Sequence, residues 1–280
     1  MHTREPIYST AIGAGRALFG LLRVRPTTSG VSQLPASGGA VLAITHFGYL
    51  DFALVEWVTW LHNRRHIRFM AKKGAFDQPV IGRLMRGMKH ISVDMESGGE
   101  AYARAVEALG AGELLGVFPE GGVNASFTVR ELKTGAVRMA LAARVPIIPV
   151  AVWGGHRLLT KNHRSKLRER VGVPVSIRLG QPFHVDGAEP LDESVAAATL
   201  RLHDTLQRLV DAVQAEYPVP GTGQWWQPAH LGGTAPTPEQ AAVVEAERRR
   251  RKTAERLAAE RNAAEKFGAG ERGAKKKRRP

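Results

Sequence analysis

Short apolar runs alternate with amphipathic helical patterns between residues 40 and 217. Strand-like runs such as AVLAIT (40–45) and LLGVF (114–118) are separated by segments with the three- and four-residue spacing of a helix, such as DFALVEWVTWLH (51–62). This alternation predicts an α/β domain with a largely parallel, mixed sheet flanked by helices. In such sheets the functional site lies beyond the carboxyl ends of the strands, so the loops after the strands are the first places to search.

The composition indicates a folded domain with an anionic partner. Of the 280 residues, 43% are hydrophobic, which is enough to fill a core. The formal net charge is +14, and half of it lies from Glu239 to Pro280, where 14 Lys and Arg stand against 7 Asp and Glu. Nucleic acid, anionic lipid or a phosphorylated substrate would each satisfy this excess. The absence of Cys excludes a thiol nucleophile and Cys-ligated zinc.

The sequence changes character on both sides of the α/β domain, which we assign to residues 26–217. Residues 1–25 are assigned to an amphipathic, membrane-associating helix, although a core helix packed on the domain fits the same pattern. Residues 218–238, rich in Gly, Pro and Trp, predict a linker or a loop draped over the domain. Residues 239–280 predict a charged helix followed by a basic, disordered tail.

No convincing membrane span is present in the sequence. The most apolar N-terminal stretch, Ile7–Leu22, has 16 residues and is interrupted by Arg16. About 20 apolar residues are needed to cross a bilayer as a helix. We therefore expect a peripheral protein.

His46 and Asp51 in the stretch THFGYLDF follow the first predicted strand. Inside one regular helix their side chains would point about 140° apart and could not meet. A turn at Gly48 with a helix start near Leu50 removes that obstacle and places Asp51 in the first helical turn, where the helix dipole stabilises a carboxylate. Asp51 could then hold one imidazole nitrogen and leave the other to act as a base. A loop histidine beside an ordinary first-turn aspartate fits the same spacing.

A second loop, FPEGG (118–122), follows the strand at 114–118. Its glycines let backbone amides approach a ligand closely, and Glu120 places an acid beside the same edge of the sheet. Downstream, Lys133 precedes a predicted helix start, a position that favours phosphate. Both loops therefore point to one site.

These segments together resemble the blocks of the glycerophospholipid acyltransferase family (PlsC-like), whose best-known members are the 1-acyl-sn-glycerol-3-phosphate acyltransferases. HFGYLD is similar to the family's histidine-x4-aspartate (HX4D) block, and VFPEGG to its Phe-Pro-Glu-Gly block. AKKGAFDQPVIGRLMRGMKHISVD, LKTGAVRMA and VPIIPVAVWG resemble the other blocks, in the family's order. The resemblance covers about residues 39–155.

The resemblance implies an O-acyltransferase of phospholipid biosynthesis. The fatty acyl group of an acyl thioester, on coenzyme A or acyl carrier protein, passes to the free hydroxyl of 1-acylglycerol-3-phosphate or a related lysolipid. His46 is then the general base, and Asp51 holds the tautomer and orientation of its imidazole. Glu120, Gly121 and Gly122 hold the glycerol phosphate part of the acceptor. No metal or cofactor is implied, since the acyl thioester is a co-substrate.

The chain departs from the family pattern at two places. Gly122, Val123 and Asn124 stand where the family continues with Thr-Arg-Ser, and Met95 stands where the second block carries an arginine. The family uses both missing arginines on the acceptor phosphate. Either the acceptor differs from lysophosphatidate, or other cations bind it. The candidate cations, each of which also fits a solvated surface charge, are Lys72, Lys73, Arg130 and Lys133.

The partners implied are a lysophospholipid acceptor, acyl-CoA or acyl carrier protein, and an anionic membrane surface, without nucleic acid. The expected location is the cytoplasmic face of the cell membrane. Two alternatives remain open. One is the same chemistry on a glycolipid or aminolipid, and the other is a non-catalytic basic protein that binds membrane or nucleic acid through its tail.

Overall fold

The computed structural model describes residues 5–94, 98–187, 190–251, 253–255 and 257–258. The chain divides into two compact units, the first ending at Ala235 and the second beginning at Pro236. In the second unit, residues 238–251 are helical. The basic tail after residue 258 lies outside the described residues, as does Met95.

The first unit is built on a mixed seven-stranded sheet with the order β1-β7-β6-β2-β5-β3-β4. Its strands are Arg25–Ser29 (β1), Ala40–Ile44 (β2), Ile67–Lys72 (β3), Ile91–Val93 (β4), Leu114–Val117 (β5), Ile147–Trp153 (β6) and Pro174–Leu179 (β7). All neighbouring pairs are parallel except β6 and β7, which are antiparallel. The predicted α/β class with a largely parallel sheet is confirmed.

Helices cover the sheet and connect its strands. They are Pro6–Leu21 (α1), Asp51–Asn63 (α2), Lys73–Phe76 (α3), Pro79–Gly87 (α4), Gly98–Gly110 (α5), Gly135–Ala143 (α6), Gly155–Leu158 (α7) and Leu191–Ala215 (α8). The two central strands, β2 and β6, are buried along their whole length because helices pack on both faces. Among the described helices, none combines the length and the apolar character that crossing a bilayer requires.

Strand β1 was not predicted from the sequence. Its residues, RPTTS, are mostly exposed at the edge of the sheet, so they carry no apolar alternation. The strand pairs only with β7 among the described strands, and the two run opposite to the neighbouring β6. The five strands from β6 to β4 therefore run in one direction, and β7 and β1 run in the other.

Helix α1 packs on the domain through one face. Tyr8, Ile12 and Phe19 are buried, and the Tyr8 hydroxyl donates a hydrogen bond of 2.6 Å to the carbonyl of Ile67 in β3. Phe19 stacks on Trp57 of α2, with 5.4 Å between ring centroids. This is the packing that the core-helix alternative predicts, while the membrane role of the other face stays a proposal.

An ion-pair cluster fastens the start of α1 to β3. Arg68 donates hydrogen bonds to both carboxylate oxygens of Glu5, and Lys89 lies 3.0 Å from Glu5 Oε1. Burial raises the pKa of Glu5, but its bonds with the two cations outweigh burial and lower the pKa to about 2. Glu5 is therefore charged at neutral pH.

Residues 218–235 take the draped-loop form of the two readings that the sequence left open. Trp226 and Ala235 are buried in the core of the first unit, and the carbonyl of Trp226 accepts a hydrogen bond of 3.0 Å from His156. The indole of Trp226 supplies the apolar area that holds the loop on the domain. The assignment of 218–238 as a linker is therefore corrected: the boundary between the units falls at Ala235.

Candidate active site

Two loops meet at the carboxyl edge of the sheet. His46 follows β2 and Glu120 follows β5, and these strands are hydrogen-bonded parallel neighbours. The loops are joined directly, since the amide of His46 donates a hydrogen bond of 3.0 Å to Glu120 Oε1. The expected convergence of His46 and Glu120 is therefore observed.

Asp51 begins α2 and folds back on the turn that carries His46. Its Oδ2 accepts main-chain hydrogen bonds from Phe47 at 3.0 Å and Gly48 at 2.7 Å. The same oxygen lies 3.4 Å from His46 Nδ1. The break between strand and helix thus brings the imidazole and the carboxylate together, which is the first of the two arrangements that the sequence left open.

Backbone packing buries Asp51 completely. A Cβ on Gly155 in α7 would lie 2.5 Å from Asp51 Oδ1, and a Cβ on Gly48 would lie 2.8 Å from the Gly155 carbonyl carbon. These close approaches require glycine at both positions. Burial raises the pKa of Asp51, while its hydrogen bonds with His46, Gly48 and Phe47 act in the opposite direction.

The imidazole of His46 is packed on one face and partly exposed to solvent. Phe118 stacks on it, with 4.0 Å between ring centroids and 25° between planes. The side chain remains 16% exposed. Within the described residues, its Nε2 makes no hydrogen bond, so this nitrogen is available to a substrate proton.

Glu120 is buried beside the backbone of His46. Its Oε2 accepts a hydrogen bond of 3.0 Å from the Asn124 side chain and lies 3.9 Å from Arg130 Nε. Burial raises the pKa of Glu120, and the donors from His46 and Asn124 lower it in part. In this structure the carboxylate supports the His46 loop, and its predicted contact with the acceptor stays a prediction.

The predicted cations at the carboxyl edge of the sheet differ in their exposure and in their contacts. Arg130 donates hydrogen bonds to the carbonyls of Glu120 (2.8 Å) and Gly122 (2.7 Å), so its guanidinium supports the FPEGG loop. Lys133 is exposed, and its side chain crosses Gly121, whose φ is +73°. A Cβ at Gly121 would lie 2.9 Å from Lys133 Cε. Lys133 therefore places a cation over the loop.

Lys72 and Lys73 lie at the carboxyl end of β3, the same edge as His46, because β3 runs parallel to β5. Both are exposed, and Lys73 forms an ion pair of 3.4 Å with Asp77. The sequence predictions for these two residues stay predictions.

Sequence reasoning named Asn124 only as a departure and missed Phe118 and Gly155 as parts of the site. The main-chain amide of Asn124 binds the carbonyl of His46 in another loop, and spacing along the chain gives no signal for that contact. Gly155 is the second residue after β6, and a pair of glycines after a central strand is the pattern that could have revealed it.

The chain is similar to several known proteins. The family model described as Acyltransferase matches residues 25–153. A 1-acyl-sn-glycerol-3-phosphate acyltransferase of Bacillus subtilis is 32% identical over 182 residues, which are 63% of this chain and 84% of that protein. The chain belongs to the glycerophospholipid acyltransferase family. It is accordingly an O-acyltransferase of lipid biosynthesis.

Other proteins similar to this chain differ in length and sequence. An uncharacterized protein of Mycobacterium leprae is 30% identical over 54% of this chain and 42% of its own length. The crystal structure of the 1-acyl-sn-glycerophosphate acyltransferase PlsC of Thermotoga maritima gives a TM-score of 0.60 at 20% identity, over 75% of this chain and 81% of that one. The acyltransferase fold thus extends over most of the first unit.

Replacing Gly155 with Ala should disturb this acyltransferase at Asp51. The added Cβ would stand 2.5 Å from Asp51 Oδ1, so the carboxylate or α7 must shift. We expect kcat to fall about 10- to 100-fold and the free energy of unfolding to fall by about 1–3 kcal/mol. Gly110→Ala is the matched control, because a Cβ there meets nothing within 4 Å. Equal kcat values for the two variants would contradict the role assigned to this contact.

Proposed function

We propose that the protein transfers a fatty acyl group from acyl-CoA or acyl carrier protein to the free hydroxyl of 1-acylglycerol-3-phosphate or a related lysolipid, with His46 as general base. The observation that carries this proposal is the His46–Asp51 pair at the carboxyl edge of the sheet, partly open on the imidazole and closed on the carboxylate. The names of the B. subtilis and T. maritima relatives support the acceptor class.

The proposed reaction needs one proton carrier and no covalent enzyme intermediate. His46 Nε2 takes the proton of the acceptor hydroxyl as its oxygen attacks the thioester carbonyl carbon. The carbon–sulfur bond then breaks, and the thiolate receives the proton from the imidazolium, which gives an ester and a free thiol. The chain supplies no Cys to act as an alternative nucleophile.

Asp51 supports this role by fixing the imidazole. Its Oδ2 can only accept a hydrogen bond when ionised, so Nδ1 carries the proton and Nε2 has the free lone pair. The Nδ1 to Oδ2 distance of 3.4 Å is long, and hydrogen bonds of this kind shorten when substrate binds. The amides of Phe47 and Gly48 hold the carboxylate while it stabilises the imidazolium.

Lys133 is the cation best placed for the acceptor phosphate. It is exposed above the glycine loop, whereas the donors of Arg130 bind the carbonyls of that loop. Lys72 and Lys73 add positive charge at the same edge of the sheet. A group of lysines attracts phosphate with less geometric selection than an arginine fork.

A lysolipid without a terminal phosphate, such as a glycolipid or aminolipid, is the second candidate acceptor. Val123 stands where the family has an arginine, and its side chain is buried and uncharged. The adjacent Asn124 is buried too. This part of the loop therefore offers no charge to an acceptor, which favours a broader acceptor class.

We also propose that the protein works at an anionic membrane surface, and a basic loop beside the site supports this. Residues 159–172 carry five Lys and Arg against one Glu. The loop begins at the turn of His46, because the Thr160 hydroxyl donates to the carbonyl of Phe47 at 2.6 Å. Each Lys or Arg near an anionic surface contributes about 1 kcal/mol to binding.

Exposed leucines lie among these charges. Leu167 is 71% exposed within the basic loop. The loop ends against α1, where the amide of Gly172 donates a hydrogen bond of 2.8 Å to the carbonyl of Leu22, and the adjacent Leu21 is 78% exposed. Apolar residues surrounded by cations are typical of surfaces that dip into the headgroup region.

His46→Ala should abolish acyl transfer while the protein stays folded. Loss of a general base lowers kcat about 10²- to 10⁴-fold. The assay supplies one labelled acyl group, on CoA or on acyl carrier protein, to a panel of lysolipids. It therefore identifies both the donor and the acceptor. His62→Ala, which changes an exposed histidine of α2, is the matched control. Retained turnover in His46→Ala would rule out the base role.

Lys133→Ala should weaken binding of phosphate-bearing acceptors specifically. Loss of a charge-assisted hydrogen bond of about 1.5–3 kcal/mol corresponds to a rise in the acceptor KM of about tenfold or more. The KM of the acyl thioester should stay unchanged. The KM for monoacylglycerol, which lacks the phosphate, should be the same for the wild type and the variant. An unaltered KM for lysophosphatidate would remove Lys133 from the phosphate site.

Leu167→Asp should reduce binding to anionic vesicles. Loss of one leucine that inserts into the membrane costs about 1.5–3 kcal/mol and the added negative charge about 1 kcal/mol more, so binding should weaken by at least about tenfold. Sedimentation with phosphatidylcholine vesicles, with and without phosphatidylglycerol, measures it. Leu200→Asp changes a leucine of α8 that is 65% exposed and serves as the control. Equal binding by both variants would contradict the membrane proposal for this loop.

A further inference from the structure

The segment from Glu120 to Asn124 binds both main-chain polar groups of His46. The amide of His46 donates to Glu120 Oε1 at 3.0 Å, and its carbonyl accepts a hydrogen bond of 2.8 Å from the amide of Asn124. These two bonds fix the peptide planes on either side of the His46 Cα. The direction in which the imidazole leaves the backbone is therefore set by the neighbouring loop.

The Asn124 side chain holds that loop in shape. Its Nδ2 donates to Glu120 Oε2 at 3.0 Å and also to the carbonyl of Thr128. Its Oδ1 accepts from the amide of Ser126 at 3.1 Å and from the Ser126 hydroxyl at 2.8 Å. Because a carbonyl only accepts and an amide N–H only donates, the orientation of the Asn124 side chain is determined by its neighbours.

Asn124 has no surface to offer a substrate. It is 3% exposed, and the nitrogen and the oxygen of its side-chain amide form their hydrogen bonds with atoms of its own loop. A residue that binds the acceptor would need an open donor directed into the site. The bonds of Asn124 lead instead to the carboxylate beneath His46.

We propose that Asn124 is a positioning residue for acyl transfer: it fixes the Glu120 carboxylate under the His46 backbone and thereby sets the place of the imidazole relative to the acceptor hydroxyl. This inference rests on the proposed role of His46 as base. A displacement of about 1 Å in a reacting group lowers a rate about 10²-fold, so a support that holds the backbone of the base acts on kcat.

Asn124→Asp tests the support with almost no change of shape. The new oxygen replaces Nδ2 and faces both Glu120 Oε2 and the carbonyl of Thr128, so two hydrogen bonds become contacts between acceptors. We expect kcat to fall about 10- to 100-fold, with the KM of both substrates within about twofold of the wild type. The exchange of the His46 amide hydrogen, followed by NMR without substrate, should accelerate about tenfold or more.

Ser126→Ala is the matched control. It removes one hydrogen bond to Asn124 Oδ1 within the same loop but leaves the bond between Asn124 and Glu120. We expect its melting temperature to fall as that of Asn124→Asp does, with kcat and exchange at His46 near those of the wild type. In the double variant Glu120→Gln/Asn124→Asp, the glutamine Nε2 can donate to the new carboxylate, so part of the lost kcat should return.

Three results would overturn the proposal. The first is a kcat of Asn124→Asp equal to that of Ser126→Ala. The second is a rise confined to the acceptor KM, which would make Asn124 a binding residue. The third is unchanged exchange at His46. If Asn124→Asp does not fold, Asn124→Ala, which removes the donor to Glu120 Oε2, replaces it under the same criteria. A wild type that acylates no lysolipid would refute the proposed function, and exchange at His46 would still decide whether Asn124 holds that backbone.

Discussion

The Asp51 carboxylate organises the carboxyl edge of the sheet. One of its oxygens, Oδ2, accepts hydrogen bonds from the amides of Phe47 and Gly48 and faces His46 Nδ1. A single atom therefore holds the turn and orients the imidazole. The turn closes tightly enough that only glycine fits at Gly48 and Gly155. The cost of burying this carboxylate is offset only in part by main-chain donors and by the N-terminal end of α2, since burial still raises the pKa of Asp51.

The parallel pairing of β2 with β5 provides the second half of the arrangement. It places the Glu120 loop beside His46, and hydrogen bonds from both backbone and side chain join the two loops. The imidazole is thus oriented through its ring by Asp51 and through its backbone by the segment 120–124. Phe118 limits the ring on one face by stacking. Three different parts of the chain therefore determine where one side chain stands.

The central fold was predictable from the sequence because its strands are buried on both faces. β2 and β6 appear as continuous apolar runs, and α2 shows a clear apolar face. β1 was not predictable, since an exposed edge strand lacks that pattern. The antiparallel direction of β7 was hidden too, because hydrophobic periodicity carries no information on strand direction.

The candidate site likewise contains residues that the sequence could predict and residues that it could not. His46 and Asp51 lie five residues apart, and the local chain geometry was enough to bring them together. Asn124 and Gly155 meet this pair only through the folded sheet, so their contacts had no signature in local spacing. Segment 218–235 was ambiguous because Gly and Pro suit both a linker and a packed loop, and burial of Trp226 decided between them.

The bond between His156 and the carbonyl of Trp226 bears on the order in which the molecule is assembled. His156 is fully buried, burial lowers its pKa to about 3, and its neutral ring ties residues 218–235 to α7, which carries Gly155. A domain generally folds as one unit during synthesis. The fold of the unit that contains Asp51 is therefore completed only after residues up to Ala235 have left the ribosome, long after His46 and Asp51 have emerged.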